Sequence, residues 1–490
     1  MKSKLLLLFL FCNHLMFSNA QTNRQTIFHI LSSSSDCSIV NNVLRLLEFY
    51  PYIWSEDVKV SVFAPTDKAL QSYVDPVSYG MTQNGKPAYQ LWEFGRDESE
   101  RYSDRAVFVN VHKCVLNSDG SVSKGDMITQ LKSITMSYDA TSGAVTTLSD
   151  RALQILRDMI VPEEIVPEKS FYKTMGNHIV KVDGNVKVAN SMQVSGGWQL
   201  QRNYPSNVTE IKQADNGTLY VIDSPIMQSS KSVCMTLSEI PEFSEFFQMM
   251  NCCGIITPTD SKDSWTAGDQ MFGNLMEYNP NTKSNYYLTY NNDYTIYVPT
   301  NDAMMKAYQM GLPTLMDLEI AETYDMEIAE TKEEPSDSAE HIKSIMSDFV
   351  KYHIQHGAVF ADNGFNGSKY DTKQLQTIPS VDGEGITTGK YIVGAPYTLT
   401  VNASKSGINV TDNMGRTANV ITKEGLYNKI ACEYWYNGNH VSQPVASTIQ
   451  QSANVAVHAI DSPLLYNYHA GSLDPDYNQF VYKNRSLTNE

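Results

Sequence analysis

The hydrophobic pattern of the chain alternates between helical and strand periodicity. The segment CSIVNNVLRLLEFY has apolar residues at positions 39, 43, 46 and 47, close to the spacing of an amphipathic helix. The segment LSEIPEFSEFFQMM predicts a further helix. Two short apolar runs, VSVFAP and YTIYVP, predict buried strands that end at Pro65 and Pro299. Thr66 and Thr300 follow these prolines and are suited to N-cap the next helix.

Later segments carry the signals of strands and tight turns. Asp183-Gly184 stands between alternating Ile and Val residues, which predicts a two-residue hairpin. Asn216-Gly217 predicts another tight turn, because glycine tolerates a positive φ. Asp223 and Asp461 each precede Ser-Pro, and we expect both to accept hydrogen bonds where the last strand ends. Early helices followed by strands and hairpins predict an α+β fold.

These strand signals occur twice along the chain. The strings VSVFAPTDKAL and YTIYVPTNDAM are 234 residues apart. The string EIKQADNGTLYVIDSP matches TIQQSANVAVHAIDSP at an offset of 238, with seven of sixteen positions identical. One internal duplication explains both matches, and it also pairs the apolar segments DRAVFVNVHKCVL and IMSDFVKYHIQHG. Val455 stands where the first copy has Gly217, so we expect the turn there to differ.

The paired strings resemble the two signatures of the fasciclin-like (periostin-type) domain family. The resemblance implies two tandem fasciclin-like domains, each a β-sandwich-like wedge with several packed helices. It places the first domain at residues 21–230, with insertions. It places the second at residues 231–470, with an acidic insertion near 317–340, followed by a C-terminal tail at 471–490. The Gln-, Tyr- and Asn-rich composition and the short signal-like N-terminus resemble those of exported bacterial members of the family.

The family resemblance also implies binding residues. The adhesion-linked Tyr-His segment is similar to Tyr352-His353-Ile354 in the second copy, where the first copy has Val111-His112-Lys113. The acidic-Ile segment before the last strand is similar to Glu210-Ile211, where the second copy has Thr448-Ile449. Neither copy keeps both segments, so receptor binding of the animal type is not expected.

A tyrosine cluster adds a further candidate binding surface. The stretch NYYLTYNNDYTIYVP predicts a hairpin that turns at residues 291–293. Tyr286, Tyr290, Tyr294 and Tyr297 would then share an exposed face, and exposed tyrosines suit sugar or protein recognition. Ordinary strand composition is the alternative, since tyrosine is common in strands.

Composition and charge narrow the class of partner. The chain has 490 residues and a formal net charge of −17, which argues against nucleic acid because no basic field exists to displace counterions from phosphates. Ten acidic residues lie between positions 317 and 340. A solvated loop or frayed helix is the main hypothesis for this run, and calcium binding is the alternative.

The first twenty residues have the layout of a secretory signal peptide. A basic start is followed by a short apolar run, with small residues at the −3 and −1 positions of a cleavage site after Ala20. Lipoprotein processing at Cys12 is an alternative, although bulky Phe11 precedes that cysteine. Elsewhere no stretch reaches eighteen apolar residues, so the sequence predicts an exported protein without a membrane span after signal removal.

The sequence shows none of the common catalytic signatures. It has no nucleophile elbow, no phosphate loop, no dinucleotide fingerprint and no CxxC pair. His353 and His356 are three residues apart, but no third metal ligand accompanies them. Cys114 lies in an apolar run, which predicts a buried thiol, and the sequence does not choose a disulfide pairing. We therefore expect no catalytic residues, no metal site and no cofactor.

The sequence favours an exported, non-enzymatic adhesion or binding protein of the cell surface or periplasm. Its expected partner is a cell-surface protein or a glycan, with an outer-membrane transporter complex as a further hypothesis. Two alternatives stay open. One is a secreted or periplasmic hydrolase acting on glycans, for which acid pairs cannot be recognised from sequence. The other is a structural spacer that binds nothing.

Overall fold

A computed structural model gives the architecture of the chain. It describes residues 25–46, 55, 58–80, 82–83, 86–98, 107–117, 122–132, 150–257, 274–279, 284–287, 293–331, 338–361, 367–381, 383, 387–404, 406–436 and 449–466. The predicted signal peptide, Cys12, the 471–490 tail and Tyr290 lie outside these residues.

The elements from α1 to β13 form what we call the first half. Its helices are α1 (Ile27–Ser32), α2 (Ser38–Leu46), α3 (Asp67–Leu70), α4 (Asp150–Arg157) and α5 (Gly197–Arg202), with a 3₁₀ turn at Pro76–Gly80. Its strands are β1 (Val60–Pro65), β2 (Tyr73–Val74), β3 (Thr82–Gln83), β4 (Lys86–Pro87), β5 (Gln90–Arg96), β6 (Val107–Leu116), β7 (Val122–Lys132), β8 (Ile160–Val161), β9 (Phe171–Lys173), β10 (Ile179–Gly184), β11 (Met192–Ser195), β12 (Ser206–Ala214) and β13 (Gly217–Ile222).

The elements from α6 to β24 form the second half. Its helices are α6 (Val233–Ser238), α7 (Ser244–Cys252), α8 (Asn301–Gln309), α9 (Leu315–Thr331) and α10 (Ser338–Tyr352), with a 3₁₀ turn at Pro241–Phe243. Its strands are β14 (Ile256–Thr257), β15 (Asn274–Asn279), β16 (Ser284–Tyr287), β17 (Tyr294–Pro299), β18 (Ile354–His356), β19 (Ser368–Val381), β20 (Thr387–Ser404), β21 (Gly407–Thr411), β22 (Thr417–Asn419), β23 (Lys429–Tyr436) and β24 (Ile449–Ile460).

Each half is built on one curled sheet around a parallel pair of strands. In the first half β1 runs parallel to β13, with Val60 opposite Gly217. The strand order is β8-β1-β13-β12-β11-β10-β9, and its two ends meet where the N–H of Met175 donates to the carbonyl of Ile160 over 2.7 Å. Apolar clusters cover both faces of this sheet, and α1, α2 and α4 contribute to one of them.

The strands of the second sheet follow one another around the sheet as those of the first do, but the ends of the sheet are β22 and β23 instead of the counterparts of β8 and β9. Here β17 runs parallel to β24, with Tyr294 opposite Val455, and the order is β22-β21-β20-β19-β18-β17-β24-β23. An isolated bridge from Val420 to Ile460 joins the β22 end back to β24. In both sheets, the strand that ends at the Pro-Thr turn (β1 or β17) therefore lies parallel and next to the last strand (β13 or β24). The structure confirms an α+β fold, while the domain boundaries at residues 230 and 470 stay a prediction.

The predicted helix caps are confirmed in both halves. The hydroxyl of Thr66 accepts from the N–H of Ala69 at 3.3 Å, and that of Thr300 accepts from the N–H of Ala303 at 3.4 Å. Each hydroxyl thus satisfies a helix N–H that has no partner within its own helix.

The residue after each capping threonine ties the strand to an earlier helix. Asp67 accepts the N–H of Ile39, at 2.9 Å, in the first turn of α2. Asn301 accepts the N–H of Glu245, at 3.1 Å, in the first turn of α7. Asp67 and Asn301, which lie at matching positions of the two copies, therefore make the same kind of contact with the start of a preceding helix.

The acceptor role predicted for the last-strand aspartates is also confirmed. Asp223 accepts both the backbone N–H and the side-chain amide of Asn207, each at 2.8 Å. Asp461 accepts both groups of Asn419, each at 2.9 Å. The pairs fasten the end of the last strand to β12 in one half and to β22 in the other.

Two turn predictions have different outcomes. A tight turn does join β12 to β13, but its loop residues are Asp215 and Asn216, and Gly217, at φ +140°, is the first residue of β13 and pairs with Ala214. The two-residue hairpin at Asp183-Gly184 is wrong: Gly184 pairs with Met192, so residues 185–191 form a longer loop. Gly184 adopts φ +85°, which ends β10, and the following alternating valines belong to the loop.

The inserted segments differ in kind between the halves. The first half adds a four-stranded sheet in the order β2-β5-β6-β7. The second half adds the helix α9, and its hairpin of β19 and β20 is longer than the matching hairpin of β9 and β10. The expected equivalence of the two apolar segments is wrong, because residues 107–116 form a strand of the added sheet whereas 338–352 form a helix.

The two halves pack against each other through apolar and polar contacts. Phe171 stacks on Phe360 with ring centroids 4.4 Å apart. Cys432 of β23 belongs to the apolar core of the first half. The Lys173 ammonium pairs with the Asp293 carboxylate at 2.5 Å. Among the described helices, none is long and apolar enough to cross a membrane.

Candidate functional site

The residues of the predicted Tyr-His segment are all buried. Tyr352, His353 and Ile354 have no exposed surface. The Nδ1–H of His353 donates to the Phe349 carbonyl at 2.8 Å, and its Nε2 accepts from the N–H of Leu464 at 3.0 Å. Burial lowers the pKa of His353 to about 3. The histidine is therefore neutral and joins the end of α10 to the C-terminal segment.

The first-half counterpart of His353 is not the residue that the sequence suggested. The N–H of Phe63 donates to the Met159 carbonyl, and the N–H of Tyr297 donates to the His353 carbonyl. Phe63 and Tyr297 hold equivalent places on β1 and β17, so Met159 matches His353. Val111-His112-Lys113 lies instead in β6 of the added sheet. An insertion between the copies hid this correspondence.

The acidic-Ile segment lies on the other sheet. Glu210 is exposed on β12 and forms an ion pair of 2.8 Å with Lys212, while Ile211 is half-buried. Ile449 begins β24, which runs on past Val455 without the turn that separates β12 from β13. The structure therefore does not bring the two predicted adhesion segments together, and their binding role stays a prediction.

The predicted tyrosine face is wrong for the residues whose side chains are described. Tyr294 and Tyr297 are fully buried on β17, because the two faces of that strand pack into two different apolar clusters. Tyr286 lies in β16, which pairs with β15 and not with β17. Only the strand character of the stretch was read correctly.

A groove lies between the two halves. Its volume is about 650 Å³. The first half contributes β9, β10, β11 and α5, and the second half contributes residues 422–430. The lining residues are mainly polar or charged: Lys181, Asp183, Gln193, Ser195, Gln199, Gln201, Asn203, Thr422, Glu424, Tyr427, Asn428 and Lys429, with Phe171, Leu200 and Ile430 among the apolar ones.

The α5 wall is held by a glycine pair and a buried glutamine. A Cβ on Gly196 would come within 2.2 Å of the Met227 carbonyl oxygen, and one on Gly197 within 2.8 Å of Ser229. Only glycine allows the chain after β13 to approach this closely. The side-chain Oε1 of Gln199 accepts from the N–H groups of Gly196 and Met227, at 2.8 and 3.0 Å, which fixes the start of α5.

The opposite wall is a segment that the first half lacks. Where β12 runs continuously along β13, the second half divides the same path into β22 and β23, with residues 420–428 between them. The Gln201 amide bridges the walls by donating to Ser229 at 2.8 Å and to the Ile430 carbonyl at 3.3 Å. The extra residues of the second copy therefore complete the groove.

The charges of the groove are mixed. Lys181 and Asp183 form an ion pair of 2.9 Å on β10, and Glu424 is exposed on the other wall. Burial lowers the pKa of Lys429, and the nearby Lys231 lowers it further. The groove therefore offers many hydrogen-bond donors and acceptors, and its electrostatic potential is neither uniformly positive nor uniformly negative.

The arrangement can hold a neutral, polar ligand through hydrogen bonds. Amide and hydroxyl groups can bond the hydroxyls of a sugar, and Phe171 and Tyr427 add apolar surface. Among the described residues, no group of three or more His, Cys, Asp or Glu side chains is placed to hold a metal ion. Sequence reasoning missed this groove, although Gly196-Gly197 and the longer stretch before the second Ile-Asp-Ser-Pro were visible signals.

Comparison with known proteins finds similarity among solved structures only. No family model matches the chain, and no curated protein matches it. Among solved structures, the chain is similar to a FAS1 domain pair from the insect cell adhesion molecule fasciclin I. The identity is 15%, the match covers 64% of this chain and 80% of that chain, and the TM-score is 0.21.

Proposed function

We propose that the protein is a non-enzymatic binding or adhesion protein that holds a polar ligand, such as a glycan, in the groove between its halves. The observation that carries the proposal is the groove itself, about 650 Å³ in volume and lined mainly by amide, hydroxyl and charged side chains. The contacts between the halves, including Gln201 with Ile430, keep both walls in place and so limit the ordering needed on binding.

Isothermal titration with neutral and acidic oligosaccharides tests this proposal. Thr422 is exposed on the groove wall, so Thr422→Trp fills the groove without disturbing a core. We expect at least a tenfold loss of affinity. Thr417→Trp is the matched control, because Thr417 is exposed outside the groove lining. Equal binding by the wild type and Thr422→Trp would contradict the proposal, as would a complete lack of oligosaccharide binding.

The hydrolase alternative has one observation in its favour, since the groove contains the two carboxylates of Asp183 and Glu424. A general acid needs an apolar environment, however, and Asp183 is paired with Lys181 at 2.9 Å. Release of reducing ends from polysaccharides distinguishes the two hypotheses. Turnover that is lost in both Asp183→Asn and Glu424→Gln would replace the binding hypothesis with an enzyme. A structural spacer would show neither binding nor turnover.

The proposal includes an exported location at a bacterial cell surface or periplasm, where a glycan or an uptake transporter is accessible. It is supported by the signal-like first twenty residues and by the doubled fasciclin-like signatures. Mass spectrometry of the mature protein tests the location. A chain that begins at Gln21 supports simple export, and a lipid-modified Cys12 supports a membrane-anchored form.

A further inference from the structure

The helix α9 has an apolar stripe on its outer side. Met316, Ile320 and Tyr324 are 70%, 62% and 51% exposed. They follow one another at i, i+4 spacing, so they form a single row about 12 Å long on the helix surface. The outer face of a surface helix is normally polar, which makes this row an interaction-surface candidate. None of the three residues lines the groove.

The opposite side of α9 is fixed by packing. Leu318 and Ala321 are buried in the core of the second half. Glu322 forms an ion pair of 2.6 Å with Lys343 of α10, and Asp325 accepts the N–H of Ala339 at 2.9 Å. The helix therefore has one orientation, and the stripe has to face outward.

Acidic residues border the stripe along one side. Helical spacing places Glu319 and Glu327 in the row next to the stripe and Glu330 one row further, and all three are exposed. Unlike Glu322 and Asp325, these three glutamates form no ion pair with any described residue. The surface is thus an apolar row with a negative edge.

We propose that the α9 stripe docks a partner protein through a basic amphipathic helix. The apolar face of that helix would cover Met316, Ile320 and Tyr324, and its Lys or Arg residues would pair with Glu319, Glu327 and Glu330. Tyrosine and methionine are enriched at protein interfaces, and a helix laid along a surface contacts residues at this spacing. Charge complementarity selects the occupant: a second copy has a net charge of −17, and an anionic membrane would also be repelled.

Fluorescence anisotropy with a labelled peptide tests the proposal on the full chain. The probe is a 14-residue amidated peptide of Leu and Lys with helical periodicity. The comparison peptide has the same composition in a scrambled order. We expect the periodic peptide to bind and the scrambled one to bind at least tenfold more weakly. Equal binding of both peptides would show a non-specific charge effect and overturn the proposal.

Three variants locate the contact. Ile320→Asp and Tyr324→Asp should each weaken the periodic peptide at least tenfold. The double variant Glu319→Lys, Glu327→Lys should weaken it similarly and remove its salt dependence. Val115→Asp is the matched control, because Val115 is 62% exposed on β6 of the first half. Wild-type affinity in the α9 variants would overturn the proposal, and thermal melts check that each variant is folded.

Two further measurements separate the other occupants. Sedimentation velocity of the wild type should show no self-association; a dimer that Ile320→Asp dissociates would identify a second copy as the occupant. Co-sedimentation with phosphatidylserine vesicles should show no binding; vesicle binding that Ile320→Asp abolishes would identify a membrane instead. Either result would overturn the proposal of a basic helical partner.

Discussion

The two halves of the molecule use the same contacts to fix their central strands and different segments to build their surfaces. Thr66 and Thr300 cap equivalent helices, and Asp223 and Asp461 hold equivalent asparagines. The segments outside this frame have diverged: one half carries an added sheet, and the other carries the helix α9 and the groove wall at residues 420–428. The comparison teaches that the shared residues specify the fold, whereas the candidate binding surfaces lie where the copies differ.

The largest expected difference between the halves is at the start of the last strand. Gly217 has φ +140°, and a Cβ there would lie 1.9 Å from the Val60 carbonyl oxygen, whereas its sequence match Val455 lies in a continuous strand. Gly217→Val should therefore lower the free energy of unfolding by about 4 kcal/mol, from backbone strain and overpacking together. Val455→Ala should cost only about 2 kcal/mol, for lost burial. Urea unfolding measures both. Equal effects would show that the two strands start in the same way.

Acid should destabilise the second half specifically. Burial lowers the pKa of His353 to about 3 and that of His458 to about 4, from a usual value of 6.5. Their first-half counterparts are Met159 and Tyr220, which do not titrate in this range. Because the unfolded chain binds protons that the folded chain excludes, the stability present above pH 6.5 is lost as the pH falls toward the folded pKa values. Between pH 7.5 and 5.5 we expect a loss of about 3 kcal/mol.

Replacing each buried histidine of the second half with its first-half counterpart tests whether these histidines cause the acid sensitivity. His353→Met should lower stability at pH 7.5, because the N–H of Leu464 loses its acceptor. The same variant should lose about half of the pH dependence, which urea unfolding at several pH values measures. If the pH dependence of the free energy of unfolding stays unchanged in both His353→Met and His458→Tyr, the two histidines are excluded as its source.

The aspartates that end the last strands should have equal effects in the two halves. Asp223→Ala and Asp461→Ala each remove two charge-assisted hydrogen bonds to an asparagine, so each should cost about 2 kcal/mol. Asp→Asn at either position keeps an acceptor and should recover part of the loss. Thermal unfolding measures both pairs. A large effect in one half alone would mean that the matching contacts do not carry matching energy.

Local signals in the sequence predicted the shared frame well. The Pro-Thr turn after β1 and β17 and the Ile-Asp-Ser-Pro endings depend on neighbouring residues, and the structure confirms their caps and acceptors. The Asp183-Gly184 signal failed because Gly184 pairs with Met192 across the sheet, and this long-range register decides the length of the loop.

Burial and spatial pairing were harder to predict. Tyr294 looked like part of an exposed face, but it packs in the apolar core of the second half, and a local sequence pattern does not show which layers cover a strand. His353 was predicted as a binding residue, and the sequence did not show its burial, which includes a hydrogen bond from the N–H of Leu464, 111 residues away. The groove needs residues from both halves, so neither copy shows it alone.

The smallest paired effect should come from the capping threonines. Thr66→Ala and Thr300→Ala each leave one helix N–H without its acceptor, at Ala69 and Ala303, and each should cost about 1 kcal/mol. Serine at either position retains the hydroxyl and should restore most of the stability. Because α3 has four residues and α8 has nine, the cap is a larger part of the first helix than of the second. Thermal unfolding should therefore show Thr66→Ala to be at least as harmful as Thr300→Ala. The reverse order would indicate that packing against the second core, rather than the cap, starts α8.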